Sequence, residues 1–386
     1  MTSFLVFSVL VLLGIAVWQL TKIYDLTQFD ASSDDSEIAT DKDNNTNGYL
    51  MFGFVGFIYI FTIYSLYAWG DLLLGTPGSD HGADYDSLMA ISMVLIFVVQ
   101  ALTQFLLHYF AFKYRGKEGQ KALYFADNNK LEAIWTIIPV IVLAGLILYG
   151  LYTWNNIMFI DEEDKQDAIV IELYAKQFGW EARYAGSDKT LGKANVRLIE
   201  GINTLGVDLA DPAAQDDKVV TELHLPVGKK VIFKMRSQDV LHSAYMPHFR
   251  AQMNCVPGMI TQFSFTPVMT TADMRNDEAI VAKVAKINKL RSENSKKLVA
   301  EGGTALDPYT FDYLLLCNKI CGASHYNMQM KIVVDTQDDF KNWLKEKPTL
   351  AQQWKEANAP KPAEVIAPPA PSTAVDSTKV IAQVIK

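Results

Sequence analysis

Four stretches without a single Asp, Glu, Lys or Arg constrain this chain more than any other feature: Met1 to Thr21, Asn44 to Gly70, Ser87 to Phe112 and Ala133 to Ile160. Each reaches the about 20 helical residues that cross a hydrocarbon core of roughly 30 Å. Within a bilayer an open chain satisfies its backbone polar groups as a helix. Leu, Ile, Val and Phe dominate the four stretches, and Trp18, Trp69, Trp135 and Trp154 lie near their ends, where an amphipathic indole suits the headgroup layer. We read four transmembrane helices.

Lys113, Arg115, Lys117, Lys121 and Lys130 fall between the third and fourth stretches, which puts that loop in the cytoplasm and everything after Ile160 outside. The loop after the first stretch holds Lys22 and Lys42 among seven carboxylates from Asp25 to Asp43, which weakens the signal there without reversing it. The first stretch lacks a basic leading region and a small-residue cleavage pattern, so it reads as an uncleaved anchor and not as a secretory signal.

Beyond Ile160 the pattern changes to short alternating runs, Ala168 to Tyr174, Val219 to Leu225, Lys230 to Met235 and Gln262 to Phe265, separated by Gly, Pro and Asp. Such runs predict a small β-sandwich or barrel. Met274 to Gly302 turns helical and charged, with Ile280, Val281, Val284, Ile287 and Leu290 at three- and four-residue spacing. An amphipathic segment covers Asp338 to Ala357, and Ala359 to Lys386 has the Pro, Ala and Ser composition of a tail. The expected divisions are 1–86 (two spans and an acidic loop), 87–160 (a hairpin of two spans), 161–335 (the β domain, with a helical insertion at 269–310), 336–358 (an amphipathic helix) and 359–386 (a disordered tail). A net charge of -8 and 50% hydrophobic residues exclude a basic nucleic-acid binder and a disordered acidic chain, so no nucleic-acid partner is expected.

Three cysteines cannot build a disulfide scaffold, and the spacing of two of them carries the information. Cys317, Cys321, His325 and Met328 place two thiols, an imidazole and a thioether within twelve residues, a soft donor set that suits copper and not magnesium or calcium. A mononuclear blue-copper site uses one Cys, so the second thiolate points to two bridged metal ions. A second imidazole must come from His81, His108, His224, His242 or His248. His242 stands out because Asp239-Val-Leu-His242-Ser243 follows a strand-like run, whereas His224 lies inside a strand pattern and His248 in a loop. A disulfide or a metallochaperone pair would need neither His325 nor Met328, and lone Cys255 reads as a small buried hydrophobe.

These elements, with the Val256-Pro257-Gly258 turn and the Leu131-Glu132-Ala-Ile-Trp135-Thr136-Ile-Ile-Pro139 opening of the fourth span, resemble subunit II of the haem-copper cytochrome c oxidases over roughly Ser87 to Asp335. The resemblance implies an all-β, cupredoxin-like Greek-key barrel behind the α-helical transmembrane region. It also implies a dinuclear copper centre, CuA, held by His242, Cys317, Cys321, His325 and Met328 with the backbone carbonyl of Lys319. Haem would reside only in a partner subunit, since no Cys-x-x-Cys-His occurs here. The implied activity is that of the electron-input subunit of an aa3-type terminal oxidase in the bacterial plasma membrane. A c-type cytochrome, free or held in a respiratory supercomplex, would donate electrons that pass to subunit I for oxygen reduction and proton translocation. Other oxidase subunits and membrane lipid would be the remaining partners.

The resemblance further places Phe178 at the family's electron-input tryptophan, with Trp180 and Tyr245 beside it, and Glu132 near a proton-uptake channel. Asp239 would orient His242 or face the donor. Lys319 departs from the family's Glu, whose carboxylate meets a magnesium ion; an ammonium cannot ligate a cation, so that contact is expected to be lost. About 50 residues also intervene between the strand at Phe265 and the cysteine loop, where the family connects briefly. A copper-delivery protein and a copper-free quinol oxidase subunit of the same fold are the competing readings, the latter disfavoured by the intact donor set.

Overall fold

The computed structural model describes residues 2–27, 40–70, 73 and 75–359, so part of the acidic loop and the tail from residue 360 onward lie outside the described residues. Two compact units result, one built on the spans with residues 277–309, the other comprising residues 78–80, 160–276 and 310 onward.

In the first unit the helices are α1 (Thr2–Thr27), α2 (Asp41–Trp69), α3 (Gly82–Lys113) and α4 (Asn129–Met158), all long and apolar enough to cross a membrane. Of these, α2 and α4 begin before their uncharged stretches because polar residues cap them. The Thr40 hydroxyl accepts from the Asp43 amide at 3.2 Å while the Asp43 carboxylate accepts from the Thr40 amide, a reciprocal pair that satisfies two orphan donors. Asn128 accepts from the Leu131 amide at 3.1 Å to start α4. Between α2 and α3, Tyr59 Oη donates to the Ala101 carbonyl at 2.5 Å and Arg115 Nε to Asn45 Oδ1 at 2.6 Å. Apolar side chains cover the outward faces of all four helices, an arrangement a hydrocarbon solvent permits and water would penalise.

The second unit opens with α5 (Glu162–Asp167) and consists of two five-stranded sheets. The first orders Lys218–Val220 (β3), Gly179–Tyr184 (β2), Ile169–Lys176 (β1), Val231–Ser237 (β5) and Thr261–Phe265 (β8). The second orders Leu223–Pro226 (β4), Gln329–Asp335 (β10), Tyr313–Cys317 (β9), His242–Met246 (β6) and Ala251–Cys255 (β7). Two pairings are parallel, β1 with β5 and β4 with β10; the rest are antiparallel. Alternate residues such as Ile171, Leu173, Phe233, Phe265, Leu315 and Ile332 are buried between the sheets. Each large apolar side chain removed from water contributes about 1.5–3 kcal/mol. Phe249 stacks between Phe265 and Tyr313, ring centroids 4.8 and 4.5 Å away.

The fold class expected from the sequence, spans followed by a cupredoxin-like β domain, is the observed one, and three local readings are corrected. Val219 to Leu225 is not one strand: the chain bends at Thr221 and Glu222, so β3 joins one sheet and β4 the other. The helix expected from Met274 to Gly302 is α6 (Thr271–Arg275) followed by α7 (Glu278–Ala300). Asp277 separates them because its carboxylate caps α7, accepting from the Ala279 and Ile280 amides. The amphipathic segment after β10 is α8 (Gln337–Glu346) and α9 (Leu350–Ala357), interrupted where Pro348 holds Lys347 extended.

The insertion folds as a helix with an extended return. Asn288 exchanges two hydrogen bonds with Tyr309, Arg291 donates to the Asp307 carbonyl at 2.8 Å, and Ser295 accepts from the Leu306 amide at 2.9 Å.

Strand directions gather four turns at one pole of the β domain: residues 177–178, 238–241, 256–260 and 318–328, each linking strands consecutive in sequence. The soft donors of the sequence lie in or beside those turns.

Candidate metal centre

His242 is the first residue of β6 and Cys317 the last of β9; antiparallel pairing that sets Ala244 opposite Cys317 brings the two side chains together. His242 is fully buried, with Nδ1 3.8 Å from Cys317 Sγ. Its Nε2 donates to Asp239 Oδ1 at 2.8 Å, which assigns the proton to Nε2 and leaves the Nδ1 lone pair facing the thiols. Asp239 is itself held by the amides of Gln177 at 2.8 Å and Val240 at 2.7 Å. Partial burial works against its charge, but the hydrogen bonds from Gln177, His242 and Val240 keep the carboxyl below its ordinary range.

The loop that follows completes the set. Cys321 Sγ lies 3.8 Å from Cys317 Sγ, 3.6 Å from His325 Nδ1 and 3.7 Å from Met328 Sδ. The Lys319 carbonyl lies 3.2 Å from Cys317 Sγ, while its side chain is exposed to solvent. A separation of 3.8 Å is far beyond a disulfide bond, so both thiols are free. Burial and the neighbouring Cys317 push the Cys321 thiol up to about 11, so a cation must displace its proton to use the thiolate. Ligand atoms of His242, Cys317 and Cys321 lie within 4.8 Å of one another, and no other such grouping of His, Cys, Asp and Glu stands out among the described residues. Two thiols, two imidazoles, a thioether and a carbonyl around one small volume fit copper by their softness.

The remaining sequence candidates divide. Phe178 is exposed and its ring covers Gly322 in the cysteine loop. Trp180 is buried, not at the surface, with its ring 6.3 Å from that of His242. Tyr245 is half-buried in β6 opposite Gln252, and Glu132 is exposed in the first turn of α4, where a carboxylate suits the helix dipole. His224 stacks on Trp343 at 3.9 Å and meets Asp335 at 2.5 Å, and His248 packs edge-on to Phe311 at 4.9 Å, so both serve the scaffold. Cys255 pairs with His242 in register but is buried, and burial pushes its thiol up to about 12.

Gln177 carries no mark of function in the sequence beyond its position next to Phe178. In the fold its amide holds Asp239, and its side chain donates to the Cys321 carbonyl, tying the turn at 177–178 to both halves of the donor set. Gly322 adopts φ 141, and a Cβ there would fall 2.8 Å from the Phe178 ring and 2.9 Å from Gln177 Nε2. Gly322→Ala is therefore expected to displace Phe178 and to cost on the order of 1–3 kcal/mol, readable as faster amide exchange across residues 318–328.

A helical membrane region joined to a β domain with a soft donor set at one pole defines a membrane-anchored copper-domain protein. The family described as cytochrome C oxidase subunit II, transmembrane domain, matches residues 77–153, and its periplasmic-domain counterpart matches residues 170–272. The alternative cytochrome c oxidase subunit 2 of Bradyrhizobium diazoefficiens is 33% identical over 257 residues, covering 66% of this chain and 76% of that protein. Cytochrome c oxidase subunit 2 of Thermostichus vulcanus is 24% identical, covering 69% and 75%. Among solved structures, the periplasmic domain of subunit II of cytochrome oxidase from Bradyrhizobium japonicum aligns at a TM-score of 0.26 and 18% identity, covering 46% of this chain and 91% of that one. The chain belongs to the cytochrome c oxidase subunit II family, the copper-domain component of an oxidoreductase complex. The periplasmic match ends at residue 272, just before α7, so the cysteine loop lies beyond it.

Proposed function

We propose that this chain is the electron-input subunit of an aa3-type terminal oxidase in the bacterial plasma membrane, with a dinuclear CuA centre on the outer side. The donor would be a c-type cytochrome and the acceptor haem in subunit I, where oxygen reduction is coupled to proton translocation. The observation that carries the reading is the pair of thiols 3.8 Å apart, each with an imidazole nitrogen within 3.8 Å. His242, Cys317, Cys321, His325 and Met328 would hold the metal, with the Lys319 carbonyl completing the set.

When bound, copper would supply one-electron transfer at this pair of thiols, its charge change shared among several soft donors. The chain's own residues make the site rigid. Asp239 fixes the His242 tautomer, Trp180 packs against that imidazole, and Gln177 ties the cysteine loop to the turn that carries Asp239. Phe178, covering Gly322, is the proposed route for electrons arriving from the donor, with Tyr245 the alternative on β6. Glu132, exposed at the start of α4, is the proposed proton-uptake residue. The Lys319 ammonium offers no magnesium ligand, so a magnesium ion bonded to this chain's side chain at that position would refute that part of the reading.

Copper content and electron paramagnetic resonance of the full-length protein test the proposal. Two coppers per chain sharing one unpaired electron equally are expected; one localised copper, or none retained, would point to a delivery protein or a copper-free quinol-type subunit. Asp239→Ala is expected to lower copper affinity by about 10- to 100-fold, measured by competition with a chelator. Phe178→Ala is expected to slow donor oxidation while leaving the spectrum intact; an unchanged rate would discard the route through that ring.

A further inference from the structure

Residues 114–128 join α3 to α4. A loop between two consecutive spans leaves and re-enters the bilayer on one side, so the headgroup layer is its nearest surrounding. Its first half is fixed to the start of α2. Arg115 Nε donates to Asn45 Oδ1 at 2.6 Å, the guanidinium lies 4.1 Å from the centre of the Phe112 ring, and the Glu118 amide donates to Asp41 Oδ1 at 2.8 Å. The Gln120 amide then closes a turn on the Lys117 carbonyl, and from Lys121 to Phe125 the backbone is neither helix nor strand.

That second half presents three consecutive apolar side chains, Leu123 and Tyr124 at 91% exposure and Phe125 at 70%. On the spans, exposed apolar side chains face lipid tails; in a loop with water on every side such a run would be an aggregation hazard. The same stretch is basic. Lys113, Arg115, Lys117, Lys121 and Lys130 stand against Glu118 and Asp127, a local positive surplus in a chain that carries -8 overall. Lys117, Lys121 and Lys130 are exposed and flank the apolar run on both sides. Aromatic and aliphatic side chains bracketed by lysines suit the bilayer interface, with rings among the upper acyl chains and ammonium groups at the phosphates. The bilayer is favoured over a protein partner because the two spans already place the loop there, and because lysines are flexible point charges that reach mobile headgroups without a fixed geometry.

We propose that residues 117–130 form a binding site for anionic phospholipid. Leu123, Tyr124 and Phe125 insert at the boundary between headgroups and acyl chains, while Lys117, Lys121 and Lys130 engage the phosphates of an acidic lipid such as phosphatidylglycerol. Arg115 and the Glu118 amide anchor the near end of the loop to α2, so only the second half has to settle on the membrane. Trp135, exposed in the second turn of α4, continues the same interfacial belt. The site depends on the spans and not on the copper centre.

The test is amide exchange of the full-length chain in lipid nanodiscs, read across residues 120–126. Discs of phosphatidylcholine alone are compared with discs in which about 30% of the lipid is phosphatidylglycerol. Exchange is expected to be at least about fivefold slower in the anionic discs, and roughly 500 mM salt is expected to remove the difference. Lys117→Ser combined with Lys121→Ser and Lys130→Ser should make exchange equal in the two discs. Leu123→Ser combined with Tyr124→Ser and Phe125→Ser should speed exchange at least about fivefold in both. Protection within α3 and α4 should match the parent in both variants, since all six side chains are exposed. Equal exchange of the parent in the two discs, or a lysine variant that keeps the lipid difference, would overturn the proposal. So would inorganic phosphate that slows exchange in phosphatidylcholine discs as much as phosphatidylglycerol does, which would make this a site for free anions. Protection that arises only when other oxidase subunits are added would make the loop a protein contact and would overturn it equally.

Discussion

Cys321→Ser is expected to abolish the paired-metal site while leaving the β domain folded. Cys321 Sγ has three donors around it: Cys317 Sγ, His325 Nδ1 and Met328 Sδ all lie within 3.8 Å. A hydroxyl is a hard donor that does not ionise near neutral pH, so it cannot replace a bridging thiolate for a soft cation. Copper content is expected to fall from two per chain to one or none, and reduction by a c-type cytochrome by at least about 100-fold, beyond what losing an outer hydrogen-bond partner costs. The unfolding temperature of the metal-free protein is expected to stay within a few degrees of the parent, because the residue sits in the turn after β9 and not between the sheets. Cys255→Ala provides the contrast. That thiol is buried behind β6, so stability falls while the two-copper spectrum remains. An unaltered shared-electron spectrum in Cys321→Ser would remove the bridging role and with it the case for a dinuclear centre.

The donor set was legible because its chemistry is compressed into twelve residues, Cys317 to Met328, and because one histidine, His242, follows a strand and a turn. Spans were legible for a similar reason: a chain that faces water on all sides rarely goes about 20 residues without a charge. Less visible was anything decided by tertiary contact. Val219 to Leu225 alternates as one strand would, yet the chain crosses from one sheet to the other at Thr221, which no periodicity records. Nothing in the sequence tells Trp180 from its neighbour Phe178 in exposure, but the alternation of β2 turns the Trp180 ring inward onto His242 while Phe178 lies in the turn and stays exposed. Gln177 has no signature at all, since its role consists of two hydrogen bonds to residues 62 and 144 positions away. The turns at residues 177–178, 238–241, 256–260 and 318–328 show the converse: apart in sequence, they are gathered at one pole only by the strand directions of the folded domain.

Arg183→Met is expected to be the most destabilising single change in the β domain. Arg183 is buried in β2, donating from Nε to Glu172 Oε2 at 2.6 Å and from Nη1 to Asp217 Oδ2 at 2.8 Å and the Gly192 carbonyl at 2.9 Å. Arg236 also pairs with Glu172, so removing Arg183 leaves Asp217 as the uncompensated carboxylate. Breaking a buried pair by deleting one partner costs about 3–5 kcal/mol, whereas methionine fills much of the vacated volume. Burial pushes Asp217 up to about 6 even with Arg183 and the Gly192 amide drawing it down. The native state therefore holds a proton that the unfolded chain releases near its ordinary value of 3.8. Its stabilising contribution is complete below that value and is lost as pH rises through about 6. Without Arg183 the carboxyl rises further, so the variant's deficit should be largest above pH about 7 and shrink toward pH about 5, where Asp217 is protonated in the folded domain. Adding Asp217→Asn to Arg183→Met should recover about 1–3 kcal/mol, the coupling expected of residues in one network. Amide exchange across β1 and β2 of the full-length chain reads these opening free energies locally. A deficit independent of pH, or a double variant as unstable as the sum of its singles, would show that Arg183 acts through packing alone. In that case the burial of Trp180 against His242, which depends on β2 holding its place, would rest on the apolar core and not on the charges beside it.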